Sequence, residues 1–353
     1  MMRIRLRFVP GVDVEFVDRD VAIRQVGDFA ERGTRFPLVV YGPEGCGKTA
    51  LFRQAFEVLR ERGYSVVYIS PLEREARDRL IATDDFKPKL AVDKLARLLT
   101  RLTGAVGGEA PAALVEYALN LITWAIRRGK RRIAVLADDI FKAVGLDKAE
   151  IYVKILLNFI EYPSRPVEKI VVLVGSSEGE TREKIGRHRW SHIVAMWNMP
   201  REGFKRLYDQ LPGEKPPLED MWRVTGGNPG YLAKLCEARW NVEVFISNFI
   251  RERKLRSFVD RLTPLQREVL AEAVEDPDVL RRRLREAEDK RPMVDLINRL
   301  VEENLIVDYL PSREPHGWID EPPPVDRELG IGEFFAWQMP LHREAVRRAL
   351  EAL

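Results

Sequence analysis

The 353-residue sequence contains little cysteine, histidine or side-chain amide. Its two cysteines, Cys46 and Cys236, cannot form a disulfide framework, and its four histidines are not spaced as zinc ligands are. Only five glutamines and eight asparagines stand beside 58 Lys and Arg residues and 55 Asp and Glu residues. Few amides with many charges are typical of proteins from hyperthermophiles, so the composition predicts a thermophilic source.

The sequence also lacks long hydrophobic runs and a strong excess of one charge. No stretch of about 18 uncharged apolar residues is present, and the first residues lead into no signal-type apolar core. We therefore expect a cytoplasmic protein with no membrane partner. The net charge of +3 does not by itself indicate a nucleic-acid partner. With 45% hydrophobic residues, the chain is too apolar for intrinsic disorder and is long enough for two or three domains.

Short apolar runs alternate with helical periodicity through the first 200 residues. The apolar runs predict strands at 3–9, 36–41, 64–70, 133–137 and 169–174. The periodic segments predict a helix that opens at Asp18 and further helices at 49–62, 89–104, 111–128 and 148–161. This alternation favours an α/β fold, with a parallel sheet that helices cover on both faces. We expect this part to end near Met199-Pro200.

Helical patterns replace the strand patterns in the remainder of the chain. Thr263-Pro264 restarts a helix with an N-cap followed by proline, Asp276-Pro277 repeats this signal, and Arg291-Pro292 starts a third helix. Residues 332–338 then predict a strand, and residues 341–353 predict a closing helix. Three short helices followed by a strand pair resemble a winged helix with an enlarged wing. We predict three domains, namely an α/β core over residues 1–200, a small all-helical lid over 201–258 and a winged helix over 259–353.

The strongest motif lies between the strand at 36–41 and the helix that follows it. Gly42-Pro43-Glu44-Gly45-Cys46-Gly47-Lys48-Thr49 matches the phosphate-binding pattern G-x-x-x-x-G-K-[ST]. Its glycines let backbone N–H groups surround a phosphate at the positive end of the helix. Lys48 is placed to reach the β- and γ-phosphates, and the Thr49 hydroxyl is placed to bind Mg²⁺. The motif predicts a nucleotide site, in which Cys46 is a small filler rather than a redox switch.

Polar residues also follow the next two buried strands. Asp138 fits a second ligand of Mg²⁺, and Asp139 is placed to polarise an attacking water. The alternative is that both acids only cap the following helix. The strand at 169–174 continues into Gly175 and Ser176, and Ser176 is a candidate for sensing the γ-phosphate or positioning water. The alternative for Ser176 is an ordinary turn.

Together these motifs resemble the archaeal ATPase family of the STAND class of P-loop NTPases, which are relatives of AAA+ proteins. The resemblance spans nearly the whole chain. Phe16-Val17-Asp18-Arg19 is similar to the family's F-[VI]-x-R entry, which lies near the adenine and ribose. Gly186-Arg187 resembles the Gly-Arg pair that precedes the lid, and residues 225–232 are close to T-G-G-x-P-x-x-L at the start of a lid helix. The resemblance implies a P-loop NTPase fold with an ASCE/AAA+-like parallel sheet, and ATP or ADP with Mg²⁺ as cofactors.

The resemblance also implies roles for individual residues. The nucleotide would contact Asp18, Arg19, Gly42, Pro43, Glu44, Gly45, Cys46, Gly47, Lys48, Thr49, Ala50 and Pro229. The residues with catalytic roles would be Lys48, Asp139, Ser176 and Arg187, with Thr49 and Asp138 at the metal. Asp139 is one methylene shorter than the Glu of many relatives, which predicts either slow hydrolysis or a water held through another group. Arg189 competes with Arg187 for the arginine that faces the γ-phosphate, and an ordinary solvated arginine is the alternative for either.

Three functions fit the sequence. The leading hypothesis is an ATP-binding and slowly hydrolysing molecular switch that acts on a protein partner which the sequence does not name, and self-association is compatible with it. The second is a DNA-acting ATPase, such as an origin-recognition-like initiator or a transposition helper. The third is a scaffold that binds ATP without hydrolysing it.

The charges of the predicted winged helix favour the first hypothesis over the second. The outward positions of its third helix include Asp295, Glu302 and Glu303 against the single Arg299, which is a poor surface for a major groove. The basic clusters at 251–256 and 281–285 could hold phosphates, but solvated helix faces are the commoner cause of such clusters. DNA is therefore an expected partner only in the second hypothesis.

Overall fold

The computed structural model describes residues 3–73, 75, 78–83, 109–176, 182, 185–186 and 189–352. Its strands are β1 (Arg5–Val9), β2 (Val12–Glu15), β3 (Leu38–Tyr41), β4 (Ser65–Ile69), β5 (Leu80–Ala82), β6 (Arg132–Asp138), β7 (Lys169–Ser176), β8 (His192–Ala195), β9 (Ile306–Val307) and β10 (Ala336–Trp337). Its helices are α1 (Asp20–Arg32), α2 (Lys48–Glu61), α3 (Glu109–Arg127), α4 (Ile140–Val144), α5 (Ala149–Glu161), α6 (Arg201–Asp209), α7 (Leu218–Thr225), α8 (Pro229–Glu237), α9 (Val242–Glu252), α10 (Leu255–Asp260), α11 (Pro264–Glu275), α12 (Val279–Glu286), α13 (Arg291–Glu302) and α14 (Pro340–Glu351). The helix predicted at 89–104 lies outside the described residues.

A six-stranded sheet in the order β5-β4-β6-β7-β3-β8 forms the centre of the fold. Its strands are parallel except β5, which pairs antiparallel with β4. Since β7 lies between β3 and β6, Tyr41 is paired with Ser176 and Asp138 with Gly175. The carboxyl ends of these three strands therefore bring the phosphate-binding motif, the two acids and Ser176 to one edge of the sheet.

Helices cover both faces of this sheet, as the sequence predicts. On one face Val39 and Val172 belong to a buried cluster with Leu114 of α3. On the other face the adjacent residue Val40 packs in a cluster with Phe52 of α2. Because successive side chains of a strand point to opposite faces, the continuous apolar runs of these strands supply both cores.

A β-hairpin and the helices after residue 200 pack together beside the sheet. The strand predicted at 3–9 is confirmed as β1, and it pairs with β2 through a turn at Gly11, where φ is 81°. Val14 of this hairpin shares a buried cluster with Phe204 of α6 and Leu232 of α8. The hairpin thus packs against the predicted lid through one shared apolar cluster.

The helix restarts predicted after residue 260 are confirmed at two of three positions. Thr263 caps α11 in a reciprocal pair with Gln266, whose N–H donates to the Thr263 hydroxyl at 3.3 Å. Helix α13 begins at Arg291 as expected. The restart predicted at Asp276 is wrong, because Asp276 ends α11 and α12 begins only at Val279.

The strand predicted at 332–338 is reduced to the two residues of β10. The Asp278 carboxylate accepts the backbone N–H groups of Glu333, Phe334 and Phe335 at 2.6, 2.9 and 3.0 Å. These amides therefore donate to a side chain instead of to the backbone of a neighbouring strand. After α11, α12 and α13 come the strands β9 and β10, which form a two-stranded antiparallel sheet. The winged-helix assignment and the three domain boundaries stay predictions.

The segment between β9 and β10 reaches back to the central sheet. Trp318 forms a parallel bridge with Ala195, and the N–H of Ile319 donates to the Ala195 carbonyl at 2.9 Å. Ile319 is buried in the same cluster as Phe52. Residues near the C-terminus thereby extend the edge of the α/β core. Over the part of the chain that the structure describes, no helix combines the length and apolar character needed to cross a membrane.

Candidate nucleotide-binding site

The loop between β3 and α2 needs its glycines for close backbone packing. Gly45 and Gly47 have φ values of 79° and 103°, in the region that favours glycine. A Cβ at Gly42 would lie 1.9 Å from the Met196 carbonyl oxygen. Since α2 begins at Lys48, the N–H groups at the start of the helix are available at the loop, as phosphate binding requires.

Lys48 is buried within this loop. Its Nζ donates to the carbonyl oxygens of Gly42 and Pro43, both at 2.9 Å, and lies 3.6 Å from the sulfur of Cys46. The fully buried Cys46 thiol packs in the core and contacts the Met196 carbonyl at 3.8 Å, which agrees with a filler role. The ammonium group therefore lies against the phosphate-binding loop, and Lys48 is one of the residues that line the cavity described below.

Thr49 and Asp138 meet directly at the edge of the sheet. The Thr49 hydroxyl donates to Asp138 Oδ2 at 2.6 Å, and only 2% of Asp138 is exposed. Burial raises the pKa of Asp138 well above its ordinary value, and the adjacent Asp139 carboxylate raises it further. A Cβ at Gly175 would lie 2.5 Å from Asp138 Oδ1, so glycine at that position leaves room for the carboxylate. The pair supplies the hard oxygen ligands that Mg²⁺ prefers.

Asp139 adopts a strained backbone conformation at the same edge. Its φ of 50° is unusual for a residue with a side chain, and such strain is concentrated at functional sites. Although Asp139 precedes α4, its side chain makes no capping hydrogen bond to that helix. Asp139 thus occupies the N-cap position without a side-chain cap, and its role in polarising water stays a prediction. Ser176 is buried at the end of β7, and its proposed sensor role stays a prediction.

A cavity of about 340 Å³ opens beside the phosphate-binding loop. Its walls include the loop with the start of α2, the β1–β2 hairpin with the residues that follow it, Met199 with Leu207 of α6, and the start of α8. Among the predicted nucleotide contacts, those that line it are Arg19, Gly45, Cys46, Gly47, Lys48, Thr49, Ala50 and Pro229. Its apolar wall consists of Leu6, Phe8, Phe16, Val17, Met199 and Leu207. Sequence reasoning missed Leu6 and Phe8, although the alternation in β1 was the signal that places them on one face.

Several other predicted residues lie near the cavity without lining it in the described part of the chain. They are Asp18, Gly42, Pro43, Glu44, Asp138, Asp139 and Ser176. Arg206 donates to Asp18 at 2.8 Å, and burial raises the pKa of the Asp18 carboxyl. Arg187 lies outside the described residues, and Arg189 is exposed, so the choice of arginine facing the γ-phosphate stays open.

The phosphate-binding loop is hydrogen-bonded to the predicted lid. The Gly230 N–H donates to the Gly45 carbonyl at 3.0 Å, and the Asn228 amide donates to the Glu44 carbonyl at 2.8 Å. A Cβ at Gly227 would lie 2.1 Å from the Met199 carbonyl oxygen, so any side chain at this position of the T-G-G motif would clash with the backbone. The motif therefore brings the start of α8 onto the loop.

The loop is also hydrogen-bonded to the C-terminal part of the chain. The Glu44 N–H donates to Gln338 Oε1 at 3.0 Å, and the Asn198 amide donates to the Gln338 carbonyl at 2.8 Å. Asn228 in turn donates to Asn198 Oδ1 at 2.8 Å. One buried polar network thus joins the loop, the lid and the residues before α14.

A phosphate-binding loop, a Thr–Asp pair at the carboxyl edge of a parallel sheet and an intervening strand β7 define a P-loop NTPase core. A family described as "ATPase domain predominantly from Archaea" matches residues 16–235, which is more than half of the chain. The chain belongs to this family of archaeal ATPases, as its motifs predicted.

Several solved structures are similar to the chain at low sequence identity. AMPPCP-bound DnaA from Aquifex aeolicus has 16% identity and a TM-score of 0.38, with 82% of this chain and 90% of that chain covered. The Aeropyrum pernix ORC1 protein in complex with DNA has 14% identity and a TM-score of 0.37, with 96% and 93% covered. Cdc6p from Pyrobaculum aerophilum has 12% identity and a TM-score of 0.37, with 99% of each chain covered. No curated protein sequence matches the chain.

Proposed function

We propose that the chain is an ATP-binding and slowly hydrolysing molecular switch of the STAND type. The observation that carries the proposal is that Glu44, inside the phosphate-binding loop, bonds to both the lid and the C-terminal part through Asn228 and Gln338. A change in the loop on nucleotide binding or hydrolysis would alter both contacts. The lid and the predicted winged helix would then report the nucleotide state to a protein partner. A second copy of this chain is one candidate for that partner.

The residues of the cavity fit an adenine nucleotide. The apolar wall of the hairpin, with Phe16 and Val17, suits an adenine ring, and the start of α2 suits the phosphates. Lys48 supplies a cation, and Thr49 with Asp138 supplies oxygen ligands for Mg²⁺. Bound Mg²⁺ would neutralise developing charge on the phosphates.

The proposed hydrolysis rests on the chain's own polar groups at the sheet edge. Asp139 would accept a proton from the attacking water or orient it, and its half-exposed position gives it access to solvent. Ser176, at the end of the strand between β3 and β6, would sense the γ-phosphate. The short side chain of Asp139 is the basis for expecting slow turnover.

Replacing Gln338 by leucine is expected to speed nucleotide release several-fold. The substitution removes the acceptor of the Glu44 N–H, and one such hydrogen bond is worth about 1 kcal/mol. The loop would then be held less firmly in its nucleotide-binding shape. Stopped-flow release of a fluorescent ADP analogue measures the rate, with exposed Glu328→Gln as the control in the same segment. A release rate equal to that of the unaltered chain would show that Gln338 does not help the C-terminal part respond to the nucleotide.

The surface charges of the C-terminal helices do not favour the DNA-acting alternative. Arg299, the basic residue on the outward side of α13, is paired with Asp295 at 3.0 Å. Arg283 of the 281–285 cluster bonds to Glu272 at 3.1 Å, and Arg253 of the 251–256 cluster bonds to Glu44 at 3.1 Å. Each of these cations already has an acidic partner within the chain, and the partner's negative charge weakens its attraction for DNA phosphates.

Duplex DNA is accordingly expected to bind only weakly and without sequence preference. Fluorescence anisotropy with a labelled duplex across a salt series measures this, since each phosphate contact adds about −0.9 to the slope of log affinity against log salt. We expect affinity in the range of non-specific binding at physiological salt. Tight, sequence-selective binding that is lost when Arg281, Arg282 and Arg285 are replaced by glutamine would instead favour the DNA-acting hypothesis.

A further inference from the structure

We propose that Asp320 is a positioning residue for the phosphate-binding loop and acts through Arg19, so that the nucleotide site is complete only while the segment around Trp318 lies along the sheet. This inference rests on the proposed nucleotide-binding function and names a contact that controls it. Arg19 was expected to contact the nucleotide. Its guanidinium is instead occupied by groups of the protein.

The guanidinium of Arg19 joins three distant parts of the chain. Nη1 donates to Asp320 Oδ2 at 2.7 Å, while Nη2 donates to the carbonyl oxygens of Cys46 at 2.8 Å and Trp197 at 2.9 Å. The side chains of Arg19 and Asp320 are 4% and 5% exposed, so the ion pair is shielded from solvent. A buried guanidinium needs such partners, because an unpaired buried charge is strongly destabilising.

The bond to Cys46 acts on the part of the loop that meets phosphate. Because a peptide unit is planar, fixing the Cys46 carbonyl also fixes the direction of the Gly47 N–H. Gly47 is the residue that precedes α2, and as a glycine it has no side chain of its own to restrain this peptide unit. Arg19 therefore orients one of the amides expected to bind a phosphate.

Asp320 is in turn held by contacts that depend on the C-terminal segment. Its backbone N–H donates to Gln25 Oε1 at 2.8 Å, and the Gln25 amide donates to the Trp318 carbonyl at 3.1 Å. Asp320 has a φ of 74°, an unfavourable conformation that its surroundings must stabilise. Since Trp318 and Ile319 bind the edge strand β8, displacement of this segment would remove Asp320 from Arg19.

The test compares Asp320→Asn and Arg19→Lys with the unaltered full chain. Asp320→Asn removes the charge that pairs with Arg19, and Arg19→Lys keeps a cation but cannot bond all three partners with a rigid planar fork. Hydrogen exchange of peptides covering residues 42–50, measured without nucleotide, is expected to rise at least about fivefold in both variants. ATP affinity by calorimetry is expected to fall about tenfold in each, as for losing a charge-assisted contact. Since both residues act through one contact, the double variant should lose little more than either single one.

Glu321→Gln is the matched control, because Glu321 is the exposed neighbour of Asp320. It should change neither the exchange of residues 42–50 nor ATP affinity. Unchanged loop exchange in folded Asp320→Asn and Arg19→Lys proteins would overturn the positioning role, as would fully additive losses in the double variant. Absence of ATP binding by the unaltered chain would overturn the proposed function instead, and the exchange experiment would still decide the role of Asp320.

Discussion

Asp139→Asn is expected to slow ATP hydrolysis by about 100-fold while ATP affinity stays within about twofold of the unaltered chain. The side chain is not used to cap α4, and its backbone is held in a left-handed conformation at the sheet edge. Asparagine has nearly the same size but cannot accept a proton at neutral pH. Phosphate release under saturating ATP measures the rate, and calorimetry measures the affinity.

The control for this substitution is Asp28→Asn, on the exposed side of α1, which should leave both quantities unchanged. If turnover in the Asp139→Asn protein equals that of the unaltered chain, then Asp139 is not the group that activates water. If affinity falls in parallel with the rate, the residue acts in binding rather than in the chemical step.

Lys48→Ala is expected to weaken ATP binding by about 10- to 100-fold, the effect of losing a charge-assisted contact of about 1.5–3 kcal/mol. Lys48 is 5% exposed, so solvent screens its charge little. Its bonds to the Gly42 and Pro43 carbonyls would also be lost, which loosens the loop. Calorimetry with ATP measures the affinity, and exposed Lys148→Ala is the control. Undiminished binding in Lys48→Ala would contradict the assignment of the phosphate site.

The sequence predicted the central sheet and the phosphate-binding loop because both depend on local patterns. Strands β3, β4, β6 and β7 are continuous apolar runs, since a strand buried on both faces requires one. The loop motif, with its glycines and Lys48, is defined by spacing alone. The family membership followed from the same motifs.

Features that depend on distant contacts were not predictable in this way. Strand β5 has only three residues, and the four residues of β8 begin with the exposed His192 instead of continuing an apolar run. The Asp278 carboxylate accepts hydrogen bonds from three backbone amides more than 50 residues away, and this shortens β10. The strand propensity of residues 332–338 alone does not reveal such a contact. Arg19 was assigned to the nucleotide by resemblance, whereas its pairing with Asp320 joins positions 301 residues apart.

Hydrolysis of ATP at this site can be measured in a single turnover of ATP bound to the full chain, with phosphate release followed in the presence and absence of Mg²⁺. We expect slow release of about one phosphate per chain, dependent on Mg²⁺ and strongly reduced in Asp139→Asn. ATP that binds tightly yet remains intact over hours, with the same outcome for both proteins, would contradict this expectation and favour a scaffold that only binds the nucleotide.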